Sequence, residues 1–149
     1  AALAISVGFA TFLNGKFVLK YGMYKLVRAF LISFTAIPLI YLLFFYGKPN
    51  PNVYILVSFF GIQFFSIGFL FGNLRSLAMQ PVGHIAGVGA AINGFTSTIM
   101  AVPIATYIGS FIENTASPLF IGFLICGCSS ILILVILKKV TKTASLSTT

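Results

Sequence analysis

The chain has 149 residues, of which 59% are hydrophobic, and its mean hydropathy is +1.10. Nine lysines and arginines stand against one acidic residue, which gives a formal net charge of +8. A soluble domain of this size could not cover so much apolar surface, and so few ionisable groups exclude clustered acid–base or metal chemistry, so we expect no enzyme, no metal and no cofactor.

Charged residues are absent from four long stretches, which are residues 29–47, 53–73, 85–112 and 119–137. A helix that rises about 1.5 Å per residue needs about 20 apolar residues to cross a hydrocarbon layer about 30 Å thick. Backbone groups in lipid find hydrogen-bond partners only within a helix or a closed sheet, and these runs do not alternate as strands would. The sequence therefore predicts an all-α membrane protein, a helical bundle of several spans.

The predicted elements, in chain order, are one partial span and four complete ones. The partial span covers residues 1–13 and does not begin with methionine, so we expect a C-terminal fragment of a larger protein. A basic connection over residues 14–28 follows. The complete spans, separated by turns rich in proline and asparagine, are 29–46, 53–79, 85–112 and 119–137. Residues 138–149 are predicted to form a disordered cytoplasmic tail rich in serine and threonine.

Basic residues gather on one side of the predicted membrane. With alternating spans, that side holds Lys16, Lys20, Lys25, Arg28, Arg75, Lys138, Lys139 and Lys142. The other side holds only Lys48, together with Glu113. An excess of lysine and arginine marks cytoplasmic loops, so the C-terminus is predicted to be cytoplasmic. Because these charges lie at membrane edges, we expect the lipid bilayer as a partner and no nucleic acid.

Uncharged polar side chains recur on one face of two predicted spans. Gln63, Ser66 and Asn73 share a face of the third segment, and Asn93 and Ser97 share a face of the fourth. By helical rise, Gln63 lies about 15 Å from one membrane surface and Ser97 about 18 Å from the other, near the midplane. An unpaired amide in hydrocarbon is costly, so these faces line a cavity or bond neighbouring helices.

The cavity interpretation names a set of candidate residues on these two segments. An aromatic-walled cavity with a few amides would suit an amphipathic organic molecule. The candidates are Gln63, Asn93, Ser97, Thr96 and Met100, with Phe60 and Phe64 as apolar walls. Pro38 and Pro103 each remove one backbone hydrogen bond within a span and are expected to bend it, either as ordinary packing or as part of a transport motion.

The connection over residues 14–25 resembles a loop motif of major facilitator transporters. Its sequence is Asn14-Gly15-Lys16-Phe17-Val18-Leu19-Lys20-Tyr21-Gly22-Met23-Tyr24-Lys25. The motif reads Gly-x-x-x-Asp-Arg-x-Gly-Arg-Lys, and this stretch resembles it at Gly15, Lys20, Gly22 and Lys25. Lys20 stands at the arginine of the motif, and Lys25 lies one residue after its final lysine. Leu19 replaces the aspartate of the motif.

Residues 71–94 resemble the junction of helices 10 and 11 in Bcr/CflA-type drug-resistance transporters. That family carries a Gly-Asn-x-x-x-x-Ala-Met-x-Pro-x-Gly-x-x-Ala-Gly run that leads into small residues. The matching positions in this chain begin at Gly72-Asn73, continue through Ala78-Met79, Pro81 and Gly83, and end at Ala86-Gly87.

The resemblance implies the C-terminal part of a twelve-helix major facilitator fold, from a partial helix 8 to helix 12. It implies a multidrug efflux antiporter of the bacterial inner membrane that exchanges protons for small drug-like molecules. Helices 10 and 11 would line its cavity, and the missing N-terminal half would be a partner and supply the acidic proton carrier. The alternative is a non-transporting multispanning subunit or scaffold, in which the amides only hold helices together.

Overall fold

The computed structural model describes residues 2–112 and 115–146, with side chains described for 3–112 and 115–138. All regular secondary structure in this part of the chain is helical, so the all-α prediction is confirmed. The helices are α1 (Ala2–Tyr21), α2 (Met23–Phe45), α3 (Val53–Met79), α4 (Ala86–Gly109) and α5 (Ser117–Leu146). A short 3₁₀ turn, Gln80–Ile85, joins α3 to α4.

Within the described residues, four helical stretches are long and apolar enough to cross a membrane. They are Leu3–Tyr21, Met23–Phe45, Val53–Gly109 and Ser117–Lys138. The third is 57 residues long because it joins α3 and α4 through the 3₁₀ turn, and that length suffices for two crossings. The apolar helices indicate a membrane-embedded, multi-pass protein.

The first two helices differ from the predicted elements. The connection expected over residues 14–28 is helical except at Gly22, because α1 continues to Tyr21 and α2 begins at Met23. Gly22 has a φ of +80°, a conformation that glycine adopts without steric cost, so one residue is enough to reverse the chain. Lysines do not end a helix, since their long side chains carry the charge away from its axis.

The later elements differ less. α3 occupies the predicted residues Val53–Met79, whereas α4 ends at Gly109 instead of residue 112. α5 continues to Leu146, so the stretch after residue 137, expected to be disordered, is helical that far. This stretch has neither glycine nor proline, so its backbone can continue the helix. Glu113 and residues 147–149 lie outside the described residues.

Close polar and small-residue contacts hold α1 parallel to α3. Near one end, the Ser6 hydroxyl donates to the Gly61 carbonyl over 2.6 Å. Near the other end, the Asn73 amide donates to the Asn14 side-chain oxygen over 2.7 Å. Between them Gly68 lies against α1, leaving too little room for a side chain. This close approach lets the two backbones lie side by side.

Aromatic contacts hold α2 antiparallel to both α3 and α5. The Phe30 ring stacks on Phe69 of α3, and the Tyr41 ring stacks on Phe120 of α5, each with ring centroids 3.8 Å apart. Near the start of α2, aliphatic side chains fill the interface, namely Val27 and Leu31 with Leu70 and Ile131. Helices α1, α2, α3 and α5 therefore form one packed body with α2 and α3 at its centre.

Helix α4 lies apart from this body. It contacts the 3₁₀ turn at Gly89 and α5 at Ile108, which lies against Gly122. Gly89 is its one buried residue, and residues 95–107 are exposed along the whole middle of the helix. α4 is therefore a long apolar helix with little of its surface covered by the described residues.

The helix directions separate the basic residues from Lys48. α1, α3 and α5 run in one direction and α2 runs in the other, so residues 16–28, Arg75 and Lys138 lie at the same end of the body. Lys48, in the turn between α2 and α3, lies at the opposite end, where its ammonium donates to the Phe44 carbonyl. The fold thus groups the charges as the sequence predicts, while the membrane side that each end faces stays a prediction.

Candidate functional site: a cleft between α3 and α4

A cleft of about 670 Å³ lies between the second half of α3 and the middle of α4. One helical face of each helix forms a wall. The walls are Phe71, Leu74, Arg75 and Ala78 from α3, and Asn93, Gly94, Ser97, Thr98, Ala101 and Val102 from α4. The spacings of three, four and seven residues on α3 place its contributors on a single stripe.

The cleft exists because the two helices touch at their turn. Gly89 of α4 is buried against Met79 and Val82, and a Cβ added there would lie 2.7 Å from the Val82 side chain. Small residues on both walls, Ala78, Gly94 and Ala101, leave space beyond this contact. The volume is within the range of small-molecule sites, which are concave and mostly apolar with a few polar groups.

The polar groups of the cleft differ in what they can still bind. The Ser97 hydroxyl donates to the Asn93 carbonyl over 2.6 Å, and the Thr98 hydroxyl donates to the Gly94 carbonyl over 2.9 Å. Their protons are therefore used within α4, and only their oxygen lone pairs remain. The half-buried Asn93 side chain has no hydrogen-bond partner among the described residues, so it can both donate and accept.

The structure brings two of the predicted cavity residues, Asn93 and Ser97, into this cleft. It does not bring Gln63, Phe60, Phe64, Thr96 or Met100 there. Phe60 stacks on Phe120 of α5 with ring centroids 4.9 Å apart, in the aromatic cluster around Tyr41. Phe64 is half-buried outside the cleft, and Thr96 and Met100 are exposed on α4.

Gln63 lies in the interface between α2 and α3, where its side chain is completely buried. Its Nε2 donates to the Phe34 carbonyl over 3.2 Å. That carbonyl would normally accept from the N–H four residues later, but residue 38 is a proline and has none. Gln63 thus replaces the helical hydrogen bond that Pro38 removes. Its Oε1 has no partner in the described part of the chain.

Sequence reasoning missed Arg75 as a cleft residue and treated it only as a charge that marks orientation. The guanidinium lies 5.9 Å from the centroid of the Phe71 ring, its neighbour one turn earlier on the same wall. Its spacing from Phe71 and Ala78 could have revealed this shared face. Arg75 is the single charged residue among those that line the cleft.

The residues of the resembled loop motif are divided between two helices. Gly15 and Lys20 lie in α1 and Lys25 lies in α2, all of them exposed, and Gly22 is the reversal between these helices. A Cβ added at Gly15 would meet nothing within 4 Å, so packing does not require a glycine there. The positive φ of Gly22 does require one.

Comparison of the chain with protein-family models, with curated proteins and with solved structures found no match. The class of protein that the fold defines is a multi-pass helical membrane protein with an open cleft between two of its helices. Any narrower function rests on the chemistry of that cleft and on the resemblance of two sequence stretches to major facilitator transporters, which stays a prediction.

Proposed function

We propose that this chain is part of a secondary active transporter that exports small drug-like organic molecules across the bacterial inner membrane, coupled to protons. The observation that carries the proposal is the α3–α4 cleft. It combines apolar walls with the Asn93 amide, which has no partner among the described residues. An amide left without a partner in hydrocarbon is costly, so a group that water or a ligand can reach explains it better than lipid exposure.

The position of the cleft also supports transport. It lies between two helices that are apolar enough to cross a membrane and that meet only at the turn. Secondary transporters bind substrate between helices within the membrane and expose the site to each side by rocking two helical units. A helix as loosely attached as α4 is suited to such a motion.

The exposed surface of α4 supports a partner on its far side. Phe95, Ile99, Met100 and Tyr107 are each more than half exposed and lie along this helix. We propose that the N-terminal half of the same protein packs here and completes the cavity. Under this proposal Thr96 and Met100 face that partner and can still line the complete site.

A second function, that of a non-transporting subunit or scaffold, is favoured by a different observation. The buried polar residues of α3, namely Gln63, Ser66 and Asn73, bond other helices or their own backbone. Amides that act only as helix contacts are what a static bundle needs. The two proposals therefore differ in the role of Asn93, which contacts the ligand in a transporter and has no ligand to bind in a scaffold.

Replacing Asn93 with leucine in the full-length protein is expected to lower the initial rate of substrate efflux from loaded proteoliposomes about five- to tenfold. The substitution removes a hydrogen-bonding group from the cleft, and one hydrogen bond to a ligand is worth about 1 kcal/mol, or somewhat more when the ligand is charged. Rates would be measured for a panel of neutral and charged fluorescent drugs.

The matched control is Thr106→Val, which removes a polar group from an exposed position on the same helix, outside the cleft. Its rate is expected to equal that of the wild type. Equal rates for Asn93→Leu and the wild type would remove the cleft from the transport pathway. A wild-type protein that moves no member of the panel under a proton gradient would favour the scaffold.

A further inference from the structure

The geometry points to amphipathic anions, such as organic carboxylates with an apolar body, as the ligands of the α3–α4 cleft, bound through Arg75. This inference deepens the proposed function and rests on it only for the direction of movement, because the binding site can be tested without transport. Three properties of the cleft carry the inference: its charge, the placement of its polar groups and its apolar walls.

The charge in the cleft is positive and has no counterion among the residues that line it. Arg75 is the one charged residue in the lining, and no carboxylate belongs to the lining set. The whole chain has a single acidic residue, Glu113, which follows α4 in the sequence and lies outside the described residues. A carboxylate ligand would neutralise this charge, whereas an ammonium ligand would be repelled in a medium that screens charges less than water does.

The polar groups lie within about one helical turn of each other in height above the 3₁₀ turn. Arg75 is about 6 Å before the end of α3, and Asn93 is about 10 Å after the start of α4, from the rise of a helix. The guanidinium can bind both oxygens of a carboxylate at once, and the Asn93 amide can donate from the opposite wall. The Phe71 ring under the guanidinium holds it against the apolar wall by a cation–π contact.

The remainder of the lining suits the body of an amphipathic molecule. Leu74, Ala78, Ala101 and Val102 offer aliphatic contacts along the walls. The hydroxyl oxygens of Ser97 and Thr98 keep lone pairs free, because their protons are donated within α4. The cleft thus places a cationic group within about one helical turn of an amide, with apolar walls along both helices.

The same positive charge could bind the phosphate of a lipid headgroup, since Arg75 lies near the end of its helix. Headgroup phosphate and substrate carboxylate share the chemistry of a small oxyanion. They differ in what competes for the site, because an anionic lipid in the surrounding bilayer would occupy it permanently. The test therefore varies both the ligand and the lipid.

Binding would be measured with three fluorescent probes that share a dansyl group, with the full-length protein in nanodiscs of phosphatidylcholine. Dansylglycine is an anion, dansylamide is neutral, and the dansyl derivative of ethylenediamine is a cation. We expect dansylglycine to bind at least about tenfold more tightly than the cation, since the carboxylate forms charge-assisted hydrogen bonds with Arg75 and the ammonium group is repelled by it.

The Arg75→Gln variant is expected to lower the affinity for dansylglycine about tenfold and to leave the affinity for dansylamide within about twofold. The affinity for the cationic probe is expected to rise, because the repulsion by the guanidinium is removed. Arg75→Lys is expected to retain part of the anion preference, because lysine keeps the charge but loses the planar bidentate geometry. It also serves as the second variant if the glutamine variant does not elute as a folded, monodisperse species. The control Arg28→Gln removes the same charge from the exposed surface of α2 at the same end, and is expected to change nothing.

Equal affinities of the wild type for the three probes, or equal effects of Arg75→Gln and Arg28→Gln, would overturn the inference. So would loss of dansylglycine binding to the wild type in nanodiscs that contain phosphatidylglycerol, because a lipid headgroup would then be the natural occupant. A wild type that binds the anion but transports no probe in proteoliposomes upholds the anion site and removes the transporter proposal. A wild type that transports the probes without preferring the anion upholds the transporter proposal and overturns the anion site.

Discussion

Replacing Gln63 with leucine is expected to lower the free energy of unfolding by about 1–3 kcal/mol, and most of that loss is expected to disappear when Pro38 is also replaced by alanine. Gln63 Nε2 donates to the Phe34 carbonyl, which lacks its helical donor because residue 38 is a proline. Leucine would leave this carbonyl unpaired in an apolar interface. Alanine at position 38 would restore the helical donor, so Gln63 would no longer be needed.

The measurement is a double-mutant cycle on stability in detergent micelles, using Gln63→Leu, Pro38→Ala and the double variant. Residues that share one hydrogen-bonding group show coupling energies of about 0.5–3 kcal/mol, whereas independent sites add. The matched control is Gln80→Leu, which removes an exposed glutamine from the 3₁₀ turn and is expected to have little effect. If Gln63→Leu is equally destabilising with and without Pro38, the glutamine does not compensate for the proline.

Replacing Gly68 with alanine is expected to destabilise the contact between α1 and α3 by about 1–3 kcal/mol. The added Cβ would lie 2.7 Å from the Ala10 Cβ and 3.0 Å from the Val7 carbonyl oxygen. Neither neighbour can rotate away, because one is a methyl group on the backbone and the other is the backbone itself. The helices would have to separate, which would also lengthen the Asn73–Asn14 hydrogen bond.

Thermal unfolding in detergent would measure this loss. Gly61→Ala is the matched control, since it lies on the same helix and an added Cβ there would meet nothing within 4 Å. Because alanine is the better helix former, the control is expected to be neutral or slightly stabilising. Ala10→Gly combined with Gly68→Ala should recover part of the stability. A Gly68→Ala variant as stable as the Gly61→Ala variant would contradict this packing.

The two amides Gln63 and Asn93 show how far the candidate site could be predicted. Sequence spacing places both within long apolar segments, and the energetic argument that each needs a partner or water applies equally to both. The structure separates them: Gln63 is buried against α2 and Asn93 lines the cleft. The proline that frees the Phe34 carbonyl is visible in the sequence, but the pairing of residue 34 with residue 63 is not, since it depends on the register of two helices.

Arg75 lines the cleft, but from the sequence it is explained by the excess of basic residues on one membrane side alone. The bias of basic residues toward one membrane side explains its presence without any reference to its neighbours. Its place on the same stripe of α3 as Phe71 and Ala78 can be read from their spacing. The cleft that this stripe lines exists only because α4 folds back at the 3₁₀ turn and then stays apart from α3, until Ile108 near its end contacts α5.

Composition and the spacing of charges were sufficient to establish that the chain is a bundle of long apolar helices with its basic residues gathered at one end. Those properties depend on each segment alone, because a backbone in hydrocarbon must satisfy its own hydrogen bonds. Tertiary structure alone decided that Gly22 reverses the chain in one residue and that Gly68 allows α1 to pack closely against α3. It also decided that Asn93, rather than Gln63, lines the open cleft. These outcomes depend on which faces of different helices meet, and close packing between helices, rather than spacing within one helix, determines that choice.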